Sequence, residues 1–367
     1  MFPRLEYLEW IEGRPEAALH DLGGSDLRGG RETGAVLPDP VAERPEPPAG
    51  VTLETLLATI YGVEPEQVLV TAGASHANFL AAATALEHGG GDGEATHGVV
   101  VEEPGYEPLV KTPAALGGDV TRFARPAAEQ WAVEPDRVAE TIDGDTALVT
   151  ITNRHNPSGR LAGRETLSEI AEAVAEVDGR LLVDEVYAPY GQTRDGQKSA
   201  FGGVTAAGLP NSVVTSSLTK FLGLGDVRIG WLIADAAFVD RARSVLAHVP
   251  AVAATSRAMA CRVLYDREPV LTEARSLAVD HAAALERFVA DRPALSGPVF
   301  DGASYGFLVH DQLGGDELAD RAAKAGVLVV PGRFFDAPER IRVSLGRDRT
   351  DTTAALAALG EVLDASV

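Results

Sequence analysis

Ser217-Leu-Thr-Lys220-Phe-Leu-Gly-Leu-Gly-Asp-Val-Arg228-Ile-Gly-Trp231 brings together residue types that could do chemistry. A hydroxyl three residues before a lysine, and an arginine eight residues after it, are spaced to hold a phosphate. The planar guanidinium fork of Arg228 suits two phosphate oxygens. Lys220 sits beside them, placed to form a Schiff base with a phosphorylated aldehyde. A free lysine has a pKa of about 10.4 and is mostly protonated, hence not nucleophilic; desolvation and the nearby guanidinium would lower it. The chain has only four lysines against 28 arginines, so a lysine kept here points to amine chemistry rather than charge. The competing reading is a glycine-rich loop with a solvated lysine.

Four other segments carry candidates, each with two readings. Thr71-Ala-Gly73-Ala74-Ser75-His76 is either an anion cradle at a helix N-terminus or a plain strand-to-helix turn capped by Ser75. In Glu103-Pro104-Gly105-Tyr106 the tyrosine either lies against an aromatic ligand ring or packs in the core. Asn153-Arg154-His155-Asn156-Pro157-Ser-Gly159 is turn chemistry, or it offers Asn156 as a donor to a ring hydroxyl. Asp184, in Val183-Asp184-Glu185-Val186-Tyr187, closes an apolar run and either caps a helix or pairs with a cation such as a protonated pyridine nitrogen. At 4 Å such a pair is worth about 4 kcal/mol at an intermediate dielectric.

The elements that must position these residues alternate. Short apolar runs predict strands over Val68–Thr71, Gly98–Glu102, Asp119–Phe123, Ala147–Thr152, Arg180–Asp184, Val213–Ser216 and Ile229–Ala234. Helical patterns such as Ser75–Glu87 and Gly163–Val177 lie between them, which predicts an α/β fold with a mainly parallel sheet. The candidates fall at strand ends, where ligands sit in such sheets. Beyond Ala234, the stretch Ala236–Ala290 reads as helices broken near Pro269, followed by short strands around Ser304–His310, Val327–Val330 and Arg340–Ser344. The expected division is a large domain over 41–266 and a small α+β domain over 267–367, with residues 1–40 as an arm packing near it. Pro38–Gly50 reads as a connector.

With 367 residues the chain can bury a large core, and a net charge of −22 argues against nucleic acid and anionic membranes as partners. No apolar run approaches the ~18 residues of a membrane span. The N-terminus lacks the basic and apolar blocks of a signal peptide. The lone Cys261 fits a reduced, cytoplasmic location. Few lysines and abundant carboxylates fit a high-salt interior, where a Debye length of about 3 Å at 1 M screens self-repulsion.

Taken in order, Gly73-Ala74-Ser75, Tyr106, Asn156-Pro157-Ser-Gly159, Asp184-Glu-Val-Tyr187 and Ser217-x-x-Lys220-x7-Arg228 resemble the fold-type I pyridoxal-phosphate enzymes, nearest the class I/II aminotransferases. The resemblance extends to Val327-Leu-Val-Val-Pro331-Gly332 and Ile341-Arg342-Val-Ser344. It implies a fold-type I large domain with a seven-stranded sheet, pyridoxal 5′-phosphate as cofactor, and transfer of an amino group from an L-amino acid to a 2-oxo acid. It also implies roles. Lys220 forms the Schiff base and shuttles the proton, and Asp184 pairs with the ring nitrogen. Tyr187 and Asn156 bond the ring hydroxyl, and Tyr106 stacks on the ring. Ala74, Ser75, Ser217 and Arg228 hold the phosphate. Arg342 clamps the substrate carboxylate, with Gly24 and Asn156 also on the substrate side.

A homodimer is implied as well, but the segment Arg44-Pro-Glu-Pro-Pro-Ala-Gly50 lacks the tyrosine that many relatives extend to the neighbour's phosphate, and Arg44 is the substitute at hand. Arg154 and His155 replace the usual proline and asparagine, and His155 is expected to be a solvated loop residue. A decarboxylase or lyase on the same fold is the alternative. A non-catalytic ligand sensor fits poorly, because such regulators usually carry a DNA-binding domain and the charge is wrong for DNA.

Overall fold

A computed structural model describes residues 6–11, 14–25, 41, 44–87, 97–191, 198–249 and 251–364. The strands, in chain order, are β1 His20–Asp21, β2 Val68–Thr71, β3 Gly98–Glu103, β4 Asp119–Ala124, β5 Thr146–Thr152, β6 Arg180–Asp184, β7 Ser199–Ala200, β8 Gly203–Val204, β9 Ser212–Ser217, β10 Gly230–Ile233, β11 Leu295–Ser296, β12 Tyr305–His310, β13 Val327–Leu328, β14 Val330–Pro331 and β15 Arg340–Ser344. Seven of them form one sheet in the order β2-β10-β9-β6-β5-β3-β4. All its pairings are parallel except those of β10, which runs antiparallel to both neighbours. No end of these strands differs from the expected one by more than one residue.

Apart from the edge strand β4, which is partly exposed, the strands of this sheet are largely buried, as their mostly apolar runs predict. Val68, Val70, Val100, Val149, Leu181, Val183, Val214 and Trp231 point into one core; Leu69, Val99, Val101, Leu148, Leu182, Val213 and Leu232 point into the other. Each such side chain contributes about 1.5–3 kcal/mol when fully buried. Trp231 is wholly buried, and its indole N–H donates to the Tyr61 hydroxyl at 2.9 Å, so it leaves no unpaired donor.

One charged pair lies inside this framework. Glu102 on β3 and Arg125 after β4 meet at 2.5 Å, with side chains 0% and 1% exposed. Burial raises the Glu102 pKa, but the guanidinium and the Thr152 N–H, donating to Oε1 at 2.8 Å, hold the carboxylate. Arg125 Nε in turn donates to the Trp131 carbonyl at 2.9 Å. Removing either partner would leave a buried charge unpaired.

A second sheet, β11-β12-β15-β14, carries Arg342 and has its own apolar core, which includes Leu22, Leu285, Leu308, Ile341 and Leu359. The stretch expected as one strand over Val327–Val330 is two: β13 pairs with β1, and β14 with β15. The helical stretch after Ala234 is likewise three helices, Ala236–Leu246, Ala254–Tyr265 and Glu268–Ala290. Pro269 sits in the first turn of the last, where its missing N–H costs nothing. The additional break precedes Ala254, where Pro250 disfavours helix for the residue before it. The first half of helix Glu268–Ala290 packs in the large core through Val270, Leu271 and Ala274, and its second half in the small one through Leu285 and Phe288. Among the described residues, no helix is long and apolar enough to cross a membrane.

His281 on that helix is buried against helix Arg349–Asp364, with Nε2 3.2 Å from the Thr352 hydroxyl. Burial pushes its pKa down from 6.5 to about 4. The folded value lies below the unfolded one. Above pH 6.5 the histidine is neutral in both states and costs nothing; stability is lost as pH falls from 6.5 to about 4, because only the unfolded chain takes up the proton there. Denaturant titrations should show the parent losing about 3 kcal/mol more than His281→Gln between pH 7 and pH 4.

Candidate active site

Because β10 is antiparallel, its first residue lies at the sheet edge where the parallel strands end. Gly230 is registered with Thr71 on β2 and with Ser217 on β9. Arg228, two residues earlier, therefore arrives beside the segments that follow β2 and β9. The same edge carries the ends of β5 and β6, with Thr152 and Asp184 in register. One pocket of roughly 680 Å³, measured to its open mouth, lies at this edge, and Ala74, Ser75, Tyr106, Asn156, Asp184, Tyr187, Ser217, Lys220, Arg228 and Arg342 all line it.

Gly73 starts helix Ala74–Leu86 with φ +94°, and a Cβ there would stand 3.0 Å from Arg228 Nη2. Gly230 has even less room: a Cβ would meet the Gly73 carbonyl carbon at 2.4 Å. The two glycines let the guanidinium approach the helix N-terminus, where Arg228 Nη2 donates to the Ala72 carbonyl at 3.1 Å. Ser75 is not the cap. The N-cap is Gly73, so Ser75 is free of the capping task and lines the pocket beside the N–H groups of the first turn.

Asp184 is 4% exposed and is not a helix cap either, since the short helix after it starts behind Tyr187. Its Oδ2 accepts from Asn78 Nδ2 at 2.9 Å and its Oδ1 from the Val186 N–H at 3.2 Å. Burial raises its pKa against these donors and Lys220. Lys220 Nζ donates to Ser25 Oγ at 3.1 Å, and that hydroxyl lies 2.7 Å from the Tyr187 hydroxyl.

Arg342 is 1% exposed, yet its fork is held by neutral oxygens. Nη1 donates to Asn156 Oδ1 at 2.7 Å, and Nη2 to the Tyr7 hydroxyl at 3.2 Å and the Gly23 carbonyl at 3.3 Å. Its guanidinium lies 5.0 Å from the Phe335 ring centre. Tyr106 is half-buried and meets Tyr7 edge-on at 6.1 Å; burial raises its pKa, keeping the phenol neutral.

Two expectations are corrected. Gly24 does not line the pocket: its N–H turns to Asp21 Oδ1 at 2.8 Å, and a Cβ there would stand 2.6 Å from Asp21 Oδ2. Ser25, one residue on, lines it instead. His155 is not solvated but fully buried, with Nδ1 2.7 Å from the Ser158 hydroxyl and Nε2 2.8 Å from the Pro104 carbonyl. Burial lowers its pKa, so the neutral ring donates from Nε2 and ties the loop after β5 to the loop after β3. Arg44, the candidate substitute for the missing tyrosine, pairs with Asp266 at 3.0 Å.

The pocket also has lining residues that the sequence reading did not single out: Tyr7, Ser25, Asn78, Thr152, Val186 and Thr219. For Asn78 a signal existed, a lone amide in the otherwise apolar run Ala77-Asn78-Phe79-Leu80-Ala81. Tyr7 and Ser25 reach the pocket only because the N-terminal segment docks on the second sheet. Beside that sheet β1 forms a separate pair with β13, Leu22 bridges Leu328 to Ser344 of β15, and Arg347 Nη2 donates to Asp21 Oδ2 at 2.7 Å.

Comparison with known proteins agrees with this architecture. The family model described as aminotransferase class I and II matches residues 39–359. A histidinol-phosphate aminotransferase of Halorubrum lacusprofundi is 27% identical over 311 residues, covering 85% of this chain and 79% of its own. Capreomycidine synthase of Streptomyces vinaceus is 29% identical over 277 residues, covering 72% of this chain and 68% of its own. In fold, the chain is similar to a pyridoxal-phosphate-dependent aminotransferase from Streptococcus suis, with a TM-score of 0.83 at 21% identity, covering 99% of this chain and 98% of that one. The chain belongs to the class I and II aminotransferase family, with the fold-type I architecture, pyridoxal phosphate as its cofactor, and transfer of amino groups between amino acids and 2-oxo acids as its activity.

Proposed function

We propose that Lys220 is the catalytic amine of this aminotransferase, with Asp184 and Tyr187 as its catalytic partners and Arg342 as the substrate clamp. The observation that carries this reading is the convergence of Asp184, Lys220, Arg228 and Arg342 on one pocket. The donor set fits the cofactor: a guanidinium, two hydroxyls and a helix N-terminus suit a phosphate. Asp184, a buried carboxylate held by neutral donors, suits a protonated ring nitrogen.

When bound, pyridoxal phosphate supplies the electron-poor ring that stabilises negative charge developing at the substrate Cα. The chain's own residues do the rest. Arg228, Ser75, Ser217 and the first-turn N–H groups at Ala74 hold the phosphate. Asp184 keeps the ring nitrogen protonated by placing a fixed negative charge beside it. Tyr187 and the Asn156 amide donate towards the ring oxygen, and Tyr106 offers a flat face. Lys220 Nζ takes the proton from the substrate Cα, with Ser25 Oγ as its neighbour. A substrate carboxylate brings Arg342 the counter-charge that Asn156, Tyr7 and Gly23 do not supply.

The amino donor is read as an L-amino acid. Histidinol phosphate, named in the haloarchaeal relatives, joins it as a donor to test. The alternative, a decarboxylase or lyase reaction on this scaffold, falls within the same test. We also propose a homodimer, as the family resemblance implies, in a high-salt cytoplasm, which the acidic composition, the lone cysteine and the haloarchaeal relatives favour. We further propose a division of the chain into 41–266 and 267–367, with residues 1–40 as an arm; two separate cores favour two domains, although the first half of helix Glu268–Ala290 packs in the large one.

Three measurements check these assignments. Incubated with each donor and no 2-oxo acid, the enzyme should consume about one donor per site, stop, and resume when a 2-oxo acid is added. Lys220→Ala should abolish this, whereas continuous release of ammonia or carbon dioxide would point to the lyase. Ser25→Ala, which removes the hydroxyl between Lys220 and Tyr187, should lower kcat/KM about tenfold, or about 1.4 kcal/mol, without lowering the thermal midpoint; wild-type kinetics would make Ser25 a bystander. Sedimentation in molar salt should give twice the mass of one chain, and a single-chain mass would remove the dimer.

A further inference from the structure

Asn78 lies in the second turn of helix Ala74–Leu86, on the side buried against the large sheet with Ala77, Leu80 and Ala81. It is 8% exposed, and a carboxamide so placed is tolerated only when both its ends are paired. They are paired with different partners. Oδ1 accepts from the Thr215 hydroxyl at 2.5 Å, and Nδ2 donates to Asp184 Oδ2 at 2.9 Å. Asp184 on β6 and Thr215 on β9 are registered neighbours, so their side chains leave the same face of the sheet, where the helix crosses. The Thr215 hydroxyl has a proton to give and the carboxylate has none. The amide's direction is thereby set, oxygen to threonine and nitrogen to aspartate.

The choice of an amide matters electrostatically. A lysine or arginine at this place would form an ion pair with Asp184 and cancel the charge that a ligand must feel. An apolar residue would leave one carboxylate oxygen buried without a donor. The amide does neither: it steadies the ionised form and leaves the negative charge to be answered from the pocket.

We infer that Asn78, oriented by Thr215, is a positioning residue that holds the ionised carboxylate of Asp184 towards the cofactor's ring nitrogen and so helps keep that nitrogen protonated. This rests on the reading of Asp184 as the ring-nitrogen partner. Asn78 acts through Asp184 and not on the substrate.

The test compares Asn78→Leu, Asn78→Asp and Thr215→Val with the parent. Four quantities are read: the Kd for pyridoxal phosphate of the cofactor-free protein by fluorescence titration, the pH dependence of the loaded enzyme's visible band, the steady-state kcat and KM of the loaded enzyme, and the thermal midpoint of the cofactor-free protein. Asn78→Leu should raise Kd about tenfold, shift the pH dependence of the band and lower kcat more than it changes KM. Asn78→Asp should be worse, because two carboxyl groups in hydrogen-bond contact compete for one proton. Thr215→Val should act in the same direction as Asn78→Leu but more weakly.

An Asn78→Leu protein with parental Kd and pH dependence, changed only in its thermal midpoint, would overturn the inference and leave Asn78 a packing residue. Should Asn78→Leu fail to fold, parental Kd and pH dependence in Thr215→Val would overturn it equally. Failure of the underlying reading looks different: Asp184→Asn would then leave cofactor affinity and the visible band unchanged, whatever Asn78 does.

Discussion

The active site depends on where one strand points. Among the strands of the large sheet, β10 alone runs antiparallel, and this brings its beginning to the edge where β2, β3, β5, β6 and β9 end. A parallel strand in that place would have put Arg228 at the opposite edge. Once Arg228 is there, Gly73 and Gly230 must both lack side chains, because the guanidinium and the two backbones fill the space that Cβ atoms would need. Sheet topology and the phosphate site are thus one constraint, set by strand direction and enforced by close packing.

A second dependence is electrostatic. The pocket edge carries three kinds of buried charge, each handled differently. Glu102 and Arg125 neutralise each other inside the framework and take no part in lining the pocket. Arg342 is surrounded by neutral oxygens, and Asp184 by neutral N–H donors. Both lie at the pocket with charges unanswered by an opposite charge in direct hydrogen-bond contact. Burying a charge without its partner is costly, and sites where this occurs are where ligands complete the structure. The arrangement suits a ligand pair that is cationic at one end and anionic at the other.

Much of this was legible beforehand. Most strands of the large sheet could be read because both of their faces are covered, so their runs are mostly apolar and bounded by turn residues; the partly exposed edge strand β4 is the exception. The candidates at their ends could be read because each follows its strand within a few residues. Other features were obscured by packing. For Ser75 the sequence left a helix cap and an anion site equally open; the helix begins at Ala74 with Gly73 as its N-cap, which leaves the serine free of the capping task. His155 looked solvated, yet its loop folds inward to reach Pro104. The run Val327–Val330 looked like one strand, and only the partners of its two halves, β1 and β15, show why it divides.

By itself the sequence determined the strand-and-helix order, the family's motif set, and which amine, carboxylate and guanidinium groups are available for chemistry. These are local properties, written in hydrophobic period, turn residues and spacing. Only the tertiary structure decided what meets those groups: Ser25 beside Lys220, Tyr7 beside Arg342, and Asn78 between Thr215 and Asp184. Those contacts join residues 106 to 335 positions apart in the chain. No local pattern encodes such a separation, because it is set by how the N-terminal segment docks on the second sheet and how one helix crosses the first.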